Sequence, residues 1–262
     1  FHPLAIENII TRTLQSIPYV AEDFFLHNEL WHSFDFHSDM SCFSLKESIS
    51  LANTQQTLLY DTLHRANFCF LTLGTAWVYI YNSTDRIVAN CHKLPQQHFS
   101  KRLLSVEEIG ESLIRIAQLL KQINPSMQLV ITISPVRHIK DGFLENQVSK
   151  SLLFSALYPL ITSGYYTYFP AYELLLDELR DYRFYANDMV HPSEMAINYI
   201  WERLVATYID TATQMDMKQA ESIQKALLHR PFNPDTEKHQ QFLIQLQQKM
   251  EVFTMKYPHI KF

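Results

Sequence analysis

Asn67-Phe68-Cys69-Phe70-Leu71-Thr72-Leu73 runs straight into Gly74. The stretch is short, apolar and stopped by a glycine, as expected of a strand buried on both faces of a sheet. Met127-Gln128-Leu129-Val130-Ile131-Thr132-Ile133 repeats the pattern and opens into the loop Ser134-Pro135-Val136-Arg137-His138. Tyr165–Phe169 is a third such segment. Helical periods lie between and after them. Ser105-Val106-Glu107-Glu108 fits a capping box ahead of Ile109, Leu113, Ile116, Leu120 and Ile123, and that helix stops near Pro125. Residues 145–162 read as a helix closed by Gly164, Ala171–Arg180 as a short helix, and Ser193 as the cap of a helix reaching about Ile209. Strand and helix alternate, so the expected fold is α/β with a mainly parallel sheet covered by helices on both faces. Ligands of such sheets bind beyond the carboxyl ends of the strands. The loops that start at Gly74, Ser134 and Pro170 therefore mark the edge where function is expected.

Outward from this frame, residues 3–17 have the period of an amphipathic helix with Pro3 at its start, and residues 46–66 form a second helix. Residues 22–44 are rich in aromatics and histidine without a period and read as a long loop over the body of the fold. Trp77–Tyr81 and Arg86–Asn90 flank the polar turn Asn82-Ser83-Thr84-Asp85, a hairpin signal. Past residue 211 the chain turns polar. Thr211–Leu228 and Asp235–Tyr257 read as helices around the break Arg230-Pro231-Phe232-Asn233-Pro234. The expected organisation is a main domain over 1–210, with 211–262 as a helical extension of the same domain.

Composition narrows the function. With 47% hydrophobic and 19% charged residues the chain can build a core. A formal net charge of -5 argues against a nucleic-acid binder, which needs a basic face. No apolar run reaches the roughly 18 residues that span a membrane. Cys42, Cys69 and Cys91 form no CxxC pair, which fits a reducing compartment, so a cytoplasmic location is expected. Only four glycines occur, Gly74, Gly110, Gly142 and Gly164, and no two are spaced for a dinucleotide fingerprint, a P-loop or a nucleophile elbow. No cofactor is expected. The 12 histidines show no HExxH, so no metal site is expected either.

Four groups of residues can carry chemistry. Asp188-Met189-Val190-His191 precedes Pro192-Ser193 and a helix. A histidine works as a general base when its ring is held in one tautomer, and a carboxylate that accepts from Nδ1 does this. The same spacing recurs at Asp61-Thr62-Leu63-His64, inside a helix and without a loop. Asp188 can also be read as a helix-capping carboxylate. Gly74 and Thr75 end the first strand, where backbone N–H groups can meet a developing oxyanion or simply close a turn. Ser134, Arg137 and His138 end the second strand, where they can clamp a polar substrate or anchor a loop. His37 and Ser38 close the aromatic run from Trp31, which can line a pocket or pin the loop.

These residues fall in blocks that resemble the GSCFA family, a bacterial family related to the SGNH hydrolases. The blocks are Phe1-His2-Pro3-Leu4, Trp31 to Ser38, Thr72-Leu73-Gly74-Thr75-Ala76-Trp77, Cys91-His92-Lys93-Leu94-Pro95 and Ser134 to His138. They continue with Asp141-Gly142, Glu145-Asn146, Ser149-Lys150, Tyr168 to Glu173, Asp177 to Tyr185 and Asp188 to Ser193. The resemblance implies a flavodoxin-like, SGNH-type three-layer sandwich and a serine esterase or acyltransferase site. Asp188 and His191 match the superfamily's DxxH, and Gly74 matches the glycine of its GxND block. Ala76 stands where that block has its oxyanion-hole Asn. The family's GSCFA motif, whose serine is the implied nucleophile, is not among these residues, so the nucleophile is expected upstream of Phe1. Met40-Ser41-Cys42-Phe43-Ser44 copies its letters but follows no strand and contains no glycine. The expected activity is ester hydrolysis or acyl transfer, with a small-molecule or carbohydrate ester as substrate. The rival expectation is a non-catalytic domain that holds a glycan or a partner in the same cleft. The oligomeric state is not legible.

Overall fold

The computed structural model describes residues 1–229, 231–233 and 236–262. Arg230, Pro234 and Asp235, which belong to the expected break and helix start, lie outside the described residues. The chain forms two compact units, Phe1–Ile197 and Asn198–Phe262. The division lies inside a helix, upstream of the boundary expected near residue 211.

The first unit is α/β. Its parallel sheet has β3 (Phe68–Leu73), β7 (Gln128–Ile133) and β8 (Thr167–Tyr168) in the order β3-β7-β8. Phe68 pairs with Gln128 and Leu73 with Ile133, so β3 and β7 end level. Their following loops therefore start side by side. The central strand β7 is buried along all but its first residue. By contrast β3, at the sheet's edge, alternates. Leu71 and Leu73 are buried, and Phe68 and Phe70 on the other face are exposed, so the expectation of burial on both faces is corrected. The expected third strand shrinks to β8 because Tyr165 N–H closes the preceding helix on Leu160 O.

Around the sheet lie α1 (Pro3–Leu14), α2 (Leu45–Arg65), α3 (Val106–Ile123) and α4 (Phe143–Thr162). α3 opens on its capping box and buries Ile109, Leu113, Ile116 and Leu120 in one core with Leu73, Ile131, Ile133, Leu153 and Leu157. Burial of each such side chain contributes about 1.5–3 kcal/mol. The segment Ala171–Arg180 is one turn of α-helix, α5 (Ala171–Glu173), that widens into a π-turn over Leu174–Glu178.

A second, antiparallel sheet has β4 (Trp77–Tyr81) between β5 (Arg86–Val88) and β6 (Phe99–Leu103). β4 and β5 are the expected hairpin. β6 was not expected, since adjacent Lys101 and Arg102 hide any alternation. The region read as a long loop holds a hairpin, β1 (Phe25–His27) with β2 (Leu30–His32), turned by Asn28 and Glu29 at positive φ. Asn28 is a residue that tolerates this conformation, but Glu29 is not, and without a glycine beside it the turn signal is weak.

α6 (Glu194–Tyr208) follows Ser193, whose Oγ accepts from Ala196 N–H. In the second unit α7 (Thr211–Leu228) and α8 (Glu237–Lys256) close on Ile223, Leu246 and Phe253. Among the described residues no helix is long and apolar enough to cross a membrane.

Candidate active site

The level ends of β3 and β7 are held by one side chain. Lys150 on α4 is 1% exposed, and its Nζ donates to Gly74 O at 2.6 Å and to Ser134 O at 2.7 Å. The ammonium thus satisfies the carbonyls at both strand ends, and burial pushes its pKa down to about 8. One residue earlier, Ser149 Oγ accepts from Ala76 N–H at 2.8 Å and shares a hydrogen bond with Thr75 Oγ1. Two adjacent residues of one helix thereby fix the backbone from Gly74 to Ala76.

This decides which donors are available for an oxyanion. Gly74 N–H donates to Phe1 O, Ala76 N–H to Ser149 Oγ and Trp77 N–H to Thr75 Oγ1. Of the four amides from Gly74 to Trp77, Thr75 N–H is the one without a partner among the described residues. Gly74 has a different use. A Cβ there would stand 3.2 Å from Phe1 N and 3.4 Å from Phe1 O, so glycine admits the Phe1 backbone against the strand end.

The DxxH segment is a tight turn. Ala186 N–H donates to His191 O at 2.7 Å and closes it, with Met189 in the left-handed region at φ 58. A side chain there costs about 1–2 kcal/mol. In return Val190 and His191 N–H both donate to Asp188 Oδ1 at 2.9 Å. The second oxygen, Oδ2, accepts from His191 Nδ1–H at 2.6 Å. These backbone N–H and imidazole hydrogen bonds hold the Asp188 pKa down to about 2. The carboxylate is therefore ionised at any working pH, and it leaves Nε2 as the basic nitrogen of His191.

Asp188 and His191 line a cleft of about 600 Å³, together with Thr75, Arg137, His138 and His37. Trp77 and Tyr79, on one face of β4, line it too. Lys101 Nζ sits 4.3 Å from the centre of the Trp77 ring and pairs with Asp141. His138 N–H donates to Asn146 Oδ1 at 2.9 Å. Packing of the His138 ring against the strand end, and then the charge of Lys150, lower its pKa. A cavity of about 690 Å³ in the second unit is larger, but its lining holds no histidine, so size does not identify the site.

Three sequence candidates stand outside the cleft lining. Gly74 lies beneath it. Ser134 Oγ accepts from Val136 N–H, and its carbonyl is on Lys150. Ser38 Oγ donates to His92 Nδ1 at 3.3 Å, while His92 Nε2–H is committed to Ser33 O. Ser41 bonds His32 Nδ1 in the same way, at 2.7 Å. Among the described residues no serine hydroxyl bonds the His191 ring. Among the described residues no cluster of three His, Cys, Asp or Glu side chains is arranged for a metal. The mid-helix pair is unlinked, since His64 Nδ1–H donates to Tyr60 O.

Sequence reasoning did not single out Lys150, Ser149 or Asn146 as site residues. Their signal was present. Positions 146, 149, 150, 153, 156, 157 and 160 form one buried helical stripe, in which an Asn, a Ser and a Lys replace apolar residues.

A family model described as the GSCFA family matches residues 1–204, and one for the GSCFA protein C-terminal domain matches 220–262. The chain belongs to the GSCFA family. A search of curated proteins gives no match. The two GSCFA matches parallel the two compact units, with the cleft wholly inside the first.

Proposed function

We propose that this GSCFA protein is a serine-type ester hydrolase or acyl (acetyl) transferase of SGNH-like architecture, acting on an O-acylated carbohydrate or similar small ester. The observation that carries this is the Asp188–His191 pair, locked at 2.6 Å on a backbone-braced turn and facing a cleft beside the strand ends. In this reading a serine upstream of Phe1 attacks the ester carbonyl, and His191 Nε2 takes its proton. Asp188 steadies the imidazolium, and Thr75 N–H meets the oxyanion. Phe1 lines the cleft, so residues joined to its amino end start there.

A glycan- or partner-binding role without catalysis is favoured by two features. The buried Ala76 offers a methyl where the superfamily has a donor, and Trp77 with Tyr79 gives the cleft a stacking face.

Fluorophosphonate labelling of the full gene product, mapped by mass spectrometry, separates the two. The esterase reading expects the tag on an upstream serine, lost in His191→Ala, and no serine tagged on residues 1–262 alone. No tag at all supports the binder. A tag on Ser38 or Ser41 moves the nucleophile into the aromatic segment and overturns the proposed arrangement.

A further inference from the structure

Arg137 borders two hollows. One is the cleft of His191. The other is a neighbouring notch of about 220 Å³ lined by Arg137, Arg180, Tyr182, Tyr185, Asp181 and Leu176. Both arginines lack a carboxylate partner among the described residues. The Arg137 guanidinium instead lies 5.4 Å from the centre of the Tyr185 ring, and its Nη2 donates to the Tyr185 hydroxyl at 3.4 Å. Such contacts hold the planar group in place without neutralising it. The notch's one carboxylate, Asp181, is spent on Arg183, accepting from its backbone N–H at 2.9 Å and its Nη2 at 3.1 Å. The notch is therefore lined by two guanidinium groups without a carboxylate partner among the described residues, together with Tyr182 and Tyr185. That set recognises a carboxylate or a phosphate.

The geometry points to a substrate that is an O-acyl ester of an anionic polyol, with its carboxylate or phosphate held by Arg137 and Arg180 and its ester directed to His191. The role given to the ester rests on the proposed hydrolase or transferase reading. The anion site stands on the notch alone. Arg137, shared by both hollows, fixes the spacing between the anionic group and the scissile bond, and so serves as the specificity determinant.

Calorimetric titration of the full-length protein with inorganic phosphate, galacturonate and neutral galactose tests this. Phosphate or galacturonate is expected to bind, and whichever binds more tightly identifies the anionic group. Affinity should fall at least about tenfold in Arg137→Gln and in Arg180→Gln, the loss expected for one charge-assisted hydrogen bond. Arg137→Lys should retain part of it. Arg65→Gln, on α2, should change nothing, and His191→Ala should bind the anion like the wild type. Absence of anion binding, equal binding of galactose, or binding that survives the double Arg→Gln change overturns the proposal. Comparing kcat/KM on acetylated galacturonate and acetylated galactose then separates the two readings. Equal turnover of both, with no anion binding, removes the substrate class and leaves the esterase. Anion binding without turnover of either ester removes the esterase and leaves the site.

Discussion

The chain carries the spacing Asp-x-x-His twice, at Asp61–His64 and at Asp188–His191, and the two behave differently. On α2 the histidine ring turns along the helix, and its Nδ1–H is consumed by Tyr60 O at 2.8 Å. The carboxylate three residues earlier makes no hydrogen bond to it. On the loop, Asp188 first ties down the turn through two backbone N–H groups, and its second oxygen then faces the ring. Inside a helix the ring can turn back onto the i−4 carbonyl, and each side chain is left to its own rotamer. A turn with one residue in the left-handed region can point two amides and an imidazole at the same carboxylate. Backbone shape, not spacing, makes the pair.

The contrast can be broken by substitution. In full-length protein, His191→Ala is expected to lower kcat/KM on a short acyl ester by about 10³-fold or more, and His64→Ala to leave it unchanged. Equal losses at both histidines in a steady-state assay would sink the distinction. Asp188→Asn should cost about 10²-fold to 10⁴-fold by releasing the tautomer. The Asp188 carboxyl is held near pKa 2, so it stays ionised through mild acid. The acid limb of the wild-type pH–rate profile should therefore not have its midpoint in the carboxylate range, and a limb near pH 4 would contradict the braced turn.

A third histidine sharpens the point. His2 is buried, its Nδ1 accepts from Ala5 N–H to cap α1, and its Nε2–H donates to Val88 O. Burial lowers its pKa to about 4 from the usual 6.5. The unfolded chain thus binds the proton first, and stability should fall as pH drops from about 6.5 to about 4, by up to about 3 kcal/mol. Urea unfolding across that range should show a flatter slope in His2→Asn, which keeps the cap. At the small end, Asp61→Asn should move stability by no more than about 0.5 kcal/mol, measured in the same way.

Much of this was legible in the sequence, for identifiable reasons. β7 and α3 follow from an apolar run and a capping box, and the loops that lead into the cleft from the stops at Gly74 and Ser134. The DxxH loop stood out because Pro192 and Ser193 follow it. What stayed hidden depends on contacts distant in sequence. β6 is a strand because β4 pairs with it, although Lys101 and Arg102 interrupt its pattern. β1 and β2 turn on Asn28 and Glu29, and although Asn tolerates positive φ, Glu29 has no special claim to it. Whether Thr75 or Ala76 offers a free amide depends on Ser149, more than seventy residues away.

The buried ammonium of Lys150 also has a practical consequence. An amine-reactive acylating reagent at pH 8 modifies surface lysines freely, yet the Lys150 nitrogen is sealed between two carbonyls and should react only when the strand ends part. Its rate of modification, followed by peptide mass mapping, then clocks the opening of the strand ends beside the cleft in the intact molecule. A ligand seated in the cleft should slow that clock, while the remaining lysines keep their pace.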